Sequence, residues 1–218
     1  MKQNRCFIKQ SRASKDTRTG ILIMRGLGIL FALLLVHSVA EAGCPLIGPT
    51  LPAWMSRTTT YTLSTGCTVD VGICYRCTST GQMQIAIEWL IPNPNNGTNC
   101  NGTDPTVMIA EALDVALADA SNYSGICSPD PCPSTHWSVI GIRATCWKLS
   151  STTNRFEACE ADSAWCTKQC TVCISGGNVS LSNCTYSHQG YSSPSCTTLP
   201  AMGTAWTRDV CYLLNCGT

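Results

Sequence analysis

Histidine is close to absent. The 218 residues hold 3, and only His136 and His188 lie beyond residue 42. That removes most routes to acid–base and nucleophilic catalysis, where an imidazole usually moves the proton. Neither a GxSxG elbow nor an HExxH helix is present. Phenylalanine is as scarce, with 3 in all, two of them (Phe7 and Phe31) near the start. Charged residues make up 12%. No run reaches the roughly 20 apolar residues needed to span a membrane.

The longest apolar run is Gly26–Val36, within MRGLGILFALLLVHSVAEA from Met24 to Ala42. Arg25 precedes the run, His37 and Ser38 break it, and Ala40-Glu41-Ala42 supplies small residues where a signal peptidase reads. That order of charge, apolar run and small residues predicts a secretory signal peptide cut after Ala42 or after Ala40. An uncleaved anchor is the alternative. A lipid on Cys44 is a further one, disfavoured by Glu41 three places ahead of it. Residues 1–42 are therefore set aside as a leader with its apolar core at 26–36, and 43–218 is taken as one mature domain. The polar stretch before Met24 reads equally as a long basic region or as a start codon placed too early.

Setting the leader aside changes the charge. Seven of the 14 basic residues but only two of the 13 acids precede residue 43, which leaves seven against eleven, about −4. No basic stripe remains, so nucleic acid is not an expected partner. The membrane matters only for export.

Cysteine is what the chain has in quantity, at 17. Only Cys6 lies in the leader. The others are Cys44, Cys67, Cys74, Cys77, Cys100, Cys127, Cys132, Cys146, Cys159, Cys166, Cys170, Cys173, Cys184, Cys196, Cys211 and Cys216. An even number at this density in an exported chain predicts a disulfide framework. Sixteen cysteines pair in roughly two million ways, and sequence does not choose among them. Each bridge contributes about 2–4 kcal/mol, mainly by restricting the unfolded chain.

Residues 43–56 read as an extended arm. Strands are expected at 58–63, 67–76 and 82–91. In the last, alternation places Met83, Ile85, Ile87 and Trp89 on one face and sends Gln82, Gln84 and Glu88 to the solvent side. Asn and Gly make 92–103 a loop. Asp104-Pro105 then opens a helix to about residue 120, Asp as cap and Pro in the first turn, with Ile109, Leu113, Ala116, Leu117 and Ala120 on its buried face. One long strand is expected over 137–149, with 155–160 pairing back on it. The stretch 186–203 reads as loop, and 206–214 as strand or short helix. The fold class is α+β: predominantly antiparallel β hairpins with one packed helix (about 105–120), in a small, disulfide-rich secreted domain.

CxxC occurs at Cys74/Cys77 and at Cys170/Cys173. The two motifs head a weak repeat at an offset of 96, from Cys74 to Ile85 and from Cys170 to Leu181, which suggests two related hairpins (67–91 and 166–185) or a recurrent cysteine-hairpin shape. Two such knuckles could hold zinc if their thiolates were reduced. A redox pair would need a helix N-terminus to lower the thiol pKa. Glu88, Glu157 and Glu160 are the carboxylates a hydrolase would draw on. Of the 6 tryptophans, Trp89 and Trp147 sit on expected strands as core, while Trp54, Trp137 and Trp165 are the candidate ligand-binding platforms. Asn96, Asn101, Asn122, Asn178 and Asn183 head sequons. The calcium signature of an EF-hand is missing from the 93–104 loop.

These features favour a secreted protein, extracellular or periplasmic, with a non-enzymatic interaction or structural role and no catalytic residue, metal or cofactor assigned. Its expected partner is an extracellular protein or a glycan. The alternatives are a carbohydrate-binding module using the three tryptophans, then a carboxylate hydrolase, then a zinc protein.

Overall fold

The computed structural model describes residues 44, 53–93, 100, 102–123, 127–159, 164–190 and 196–217. The leader, Glu160 and most of the 93–104 loop lie outside them, as do Asn96 and Asn101. The described residues belong to the compact unit Gly43–Thr218. They are mostly β-sheet, with one α-helix and a short 3-10 turn.

The strands are β1 (Met55–Thr62), β2 (Thr68–Cys77), β3 (Met83–Pro92), β4 (Trp137–Ala144), β5 (Cys146–Leu149), β6 (Phe156–Ala158), β7 (Trp165–Ser175), β8 (Asn178–Gln189) and β9 (Tyr212–Leu213). The helix, α1, is Pro105–Ala118, and Ala120–Tyr123 adds the 3-10 turn. β1, β2 and β3 form an antiparallel meander. β3 then shares its other edge. Met83–Ala86 pairs in parallel with β4, while Trp89 and Leu90 pair antiparallel with β6. Beyond β4 come β7 and β8, and beyond β6 come β5 and β9.

The parallel β3–β4 pair is not one that an all-hairpin reading anticipates. It exists because the chain leaves β3, crosses the sheet as α1 and returns as β4, and a parallel neighbour requires such a crossover. The Asp104 carboxylate caps α1 by accepting the Thr106 N–H at 2.8 Å, and Pro105 occupies the first turn. Met108, Ile109, Ala112, Leu113, Ala116 and Leu117 are buried against Val69, Val71, Ile73, Met83, Ile85, Ile87 and Val139 of the sheet. Gly141 lets the helix come close: a methyl group there would lie 2.9 Å from Leu117 Cδ1.

The expected strand 137–149 is two strands. Thr145 is where the partner changes: its N–H donates to Ala164, the next rung of the β4–β7 register, while its carbonyl already accepts from Leu214, the next rung of the β5–β9 register. β4 therefore stays with β3 and β7 while β5 turns to β6 and β9. The main core extends there. Trp147 is fully buried, Phe156 meets Trp206 edge-on at 5.4 Å, and Trp206 lies 5.0 Å from Tyr212. The expected loop 186–203 begins as strand, since β8 continues to Gln189.

Eight disulfides join the cysteines: Cys44–Cys74, Cys67–Cys100, Cys77–Cys127, Cys132–Cys173, Cys146–Cys196, Cys159–Cys211, Cys166–Cys216 and Cys170–Cys184. Three of them fasten the C-terminal stretch 196–216 to β5, β7 and the end of β6. The two CxxC hairpins flank β4, and their matched glycines, Gly81 and Gly177, both turn with positive φ, at 80° and 81°.

Candidate functional site

Neither CxxC closes on itself. Cys74 bonds Cys44 and Cys77 bonds Cys127; Cys170 bonds Cys184 and Cys173 bonds Cys132. A four-thiolate zinc site needs four free sulfurs, and here each is committed to a cysteine outside its motif. The second cysteine of each motif reaches the same short segment, 127–132, ahead of β4.

The two histidines stand apart. His136 immediately precedes β4, whose Trp137 pairs with Val172, whereas His188 pairs with Cys166. Six residues of β7 separate those rungs, about 20 Å of strand. Glu157 is held by Lys148 at 3.4 Å and accepts from Thr153 at 3.1 Å.

The face of the sheet away from α1 carries a denser arrangement. It is produced by a bulge. Gly72 pairs with Trp89 and Ile73 with Ile87, which leaves Glu88 without a rung. An extra residue inverts the alternation, so Trp89 departs from the face of Met83, Ile85 and Ile87. Its indole lies over Gly72, where a methyl group would collide with the ring at Nε1. The Arg155 guanidinium lies over the ring at 3.9 Å. Trp89 is thus half-buried on the outer face rather than in the core.

Glu88 keeps the outer face that alternation gives it, that of Cys74 and Ala86, but this face is covered there by Cys44 and Trp54. Glu88 does not project to solvent. Its carboxylate lies within 4.8 Å of the sulfurs of Cys44 and Cys74, and Oε1 is buried without a hydrogen-bond partner. Burial pushes its pKa up, because a desolvated carboxyl favours its neutral form. With both sulfurs in a disulfide, this trio offers a metal only the carboxylate.

Around it, Arg76 is buried, donates Nε–H to Gln84 Oε1 at 2.7 Å, and holds its guanidinium 4.3 Å from the Trp54 ring. Trp54 and Trp165 pack with Cys44 and Ile140 on a small cluster of Cys74, Ala86 and Ile142. The structure therefore brings two of the three candidate tryptophans to one patch, both half-buried. Trp137 is elsewhere, packed on the main core with its ring against Gly81. Sequence reasoning missed Arg76, Gln84, the burial of Glu88 and the outward turn of Trp89. For Trp89 the available signal was Gly72, since a glycine inside a strand pattern often marks a bulge.

A second surface is the edge of the sheet. Among the described residues β8 pairs only with β7, and every residue from Ser182 to Gln189 is exposed. Asn183 adopts φ 50° where two residues of β8 oppose Cys170 of β7; asparagine tolerates this left-handed conformation. The strand NVSLSNCTYSHQ contains no Lys, Arg, Asp or Glu. Two sequon asparagines, Asn178 and Asn183, are exposed on it, whereas Asn122 is buried and donates to the Ala116 carbonyl.

Comparison with protein-family models, with curated proteins and with solved structures finds no match. The fold and its cross-links define a β-dominant α+β protein stapled by disulfides. Among the described residues no helix is long and apolar enough to cross a membrane.

Proposed function

We propose that this is an exported, non-enzymatic protein with an interaction or structural role outside the cell or in the periplasm, and that β8 is its contact element. The observation that carries the reading is an uncharged edge strand of twelve residues, exposed throughout from Ser182 to Gln189. Open strand edges template pairing, and natural proteins usually blunt them with charge, proline or a covering segment. Among the described residues, a bulge at Asn183 is the one device that blunts β8. Export is supported by the order of residues 24–42 and by a disulfide density suited to an oxidising compartment.

The partner we assign to the edge is β8 of a second copy. With no like charges to oppose one another, two copies can pair antiparallel about a two-fold axis, which gives a closed dimer. Sedimentation of the mature chain over a range of concentrations tests this. The expected result is a reversible dimer that Ser182→Lys/Thr185→Lys converts to a monomer of unchanged melting temperature. A wild-type chain that stays monomeric at its highest soluble concentration overturns the assignment.

A glycan is the second reading, favoured by the convergence of Trp54 and Trp165 on one patch. Aromatic rings present flat apolar area to sugars, but the Arg76 guanidinium already occupies one face of Trp54. Fluorescence quenching across a glycan panel, abolished by Trp54→Ala, would establish it. No response to any glycan would remove it.

A further inference from the structure

The Glu88 carboxyl beside the Cys44–Cys74 disulfide has no structural partner to explain it. A buried polar atom without a hydrogen bond costs about 1–3 kcal/mol, and such groups concentrate where chemistry uses them. Glu88 Oε1 is buried and unpartnered. Its neighbours within 4.8 Å are the two sulfurs of a bridge. The bridge is asymmetric: Cys74 is fully buried, whereas Cys44 is partly exposed.

Thiol–disulfide exchange has a direction under those conditions. An incoming thiolate reaches the accessible sulfur and expels the other. The expelled Cys74 thiolate would be stranded in an apolar setting of Ala86 and Ile142, where a charge is strongly disfavoured. A proton delivered to that sulfur removes the obstacle. Glu88 is placed to deliver it, and its burial pushes its pKa up, towards the acid form. By strand register the charged groups nearest to it are Asp70, bonded to Thr60 and Asn93, and Arg76 on β2, Arg155 over Trp89, and the Glu157–Lys148 pair opposite Trp89. None of them bonds Oε1.

We propose that Cys44, Cys74 and Glu88 form a thiol–disulfide exchange site at which an external dithiol attacks Cys44 Sγ while Glu88 protonates the departing Cys74 sulfur. The first step breaks Cys44–Cys74, forms a mixed disulfide between Cys44 and the dithiol, and leaves Glu88 as carboxylate, which regains a proton from water. The second thiol of the reductant then attacks its own sulfur in the mixed disulfide. It releases Cys44 as a thiolate that takes up a proton. In sum the bridge is reduced to two thiols and the dithiol is oxidised to its disulfide. Cys44 is the sole cysteine between residues 43 and 66, so opening this bridge removes the one cross-link between the segment before β1 and the sheet, next to the patch of Trp54 and Trp165. The site is independent of β8.

The test uses the mature oxidised chain, dithiothreitol as the dithiol, and timed alkylation with peptide mapping to follow each bridge. The rate for Cys44–Cys74 is divided by that for Cys67–Cys100, which cancels the pH dependence of the reagent. We expect Cys44–Cys74 to open first, its relative rate to fall as pH rises and Glu88 ionises, and Glu88→Gln to slow it about tenfold or more and to flatten the pH profile. Glu88→Gln is nearly isosteric, and its bridge count shows whether it folds. The wild-type measurement stands without any variant. Opening of Cys44–Cys74 no faster than Cys67–Cys100, or a relative rate independent of pH in the wild type, overturns the proposal.

Discussion

Gly141 sets how closely α1 lies on the sheet, and Gly141→Ala measures it. The backbone there is not left-handed, so alanine can adopt it. The difficulty is space alone. The new methyl would meet Leu117 Cδ1 at 2.9 Å, Leu113 Cδ1 at 3.1 Å and Leu113 Cγ at 3.2 Å, and both leucines are buried, at 0% and 4% exposure for Leu117 and Leu113. Overpacking of this kind costs about 1–3 kcal/mol. Restricting the unfolded chain returns about 0.4–1 kcal/mol. The net loss should be about 0.5–2 kcal/mol. Leu117→Ala alone should cost about 2–5 kcal/mol through the cavity it leaves. In the double variant the methyl at 141 occupies part of that cavity. The two losses should then fall short of additivity by about 1–2 kcal/mol, within the range seen for residues in contact. Guanidinium unfolding of the oxidised protein, followed by the fluorescence of buried Trp147, reads all four states. A Gly141→Ala protein as stable as wild type, or strict additivity, would refute the helix–sheet contact as described.

Three further perturbations have calculable outcomes. Removing the bridge between Cys166 and Cys216, separated by 50 residues, with both cysteines replaced by alanine, should cost about 4 kcal/mol on the loop-entropy relation; a melting temperature within a degree of wild type would contradict it. Burial raises the Asp119 pKa, but hydrogen bonds from Ser121 and Tyr61 and the Arg57 charge at 2.7 Å outweigh it and hold the group below its ordinary value. Its stabilisation is therefore present above the unfolded pKa of about 4 and lost as pH falls through the folded value, so the stability gap between wild type and Asp119→Asn should close on acidification. Glu88 has the opposite sign. Desolvation raises its folded pKa, so its contribution is intact below the unfolded value of about 4.3 and declines as pH rises through the folded one. Glu88→Gln should be more stable than wild type at pH 7 and not at pH 4; equal stability curves for the two proteins would rule this out.

Much of the fold is local in origin and was legible. Asp104-Pro105 announces α1 because capping depends on neighbours two residues apart, and the 2.8 Å bond to Thr106 realises it. Alternation in 83–87 identifies the core face of β3. It fails at Trp89 because a bulge is a property of a strand pair, and nothing in QMQIAIEWLI alone says that Glu88 lacks a rung. Gly72, on the facing strand, held the missing information. Likewise the change of partner at Thr145, from β7 to β9, depends on Ala164 and Leu214, distant in sequence. The disulfide pairing is non-local in the same way. The candidate tryptophans show both outcomes: Trp54 and Trp165 converge because β1 is preceded by, and β7 begins at, the same region of the outer face, while Trp137 is drawn to Gly81 at the hairpin turns.

The pairing of the two CxxC motifs tests the account most directly. Intact mass before and after reduction and alkylation, followed by peptide mapping of the oxidised mature chain, reads it. The expected result is no alkylatable thiol, a mass lower by two hydrogens for each of the eight bridges, and cross-linked peptides joining Cys74 to Cys44, Cys77 to Cys127, Cys170 to Cys184 and Cys173 to Cys132. Free thiols at these positions, or peptides in which Cys74 is joined to Cys77 or Cys170 to Cys173, would contradict it.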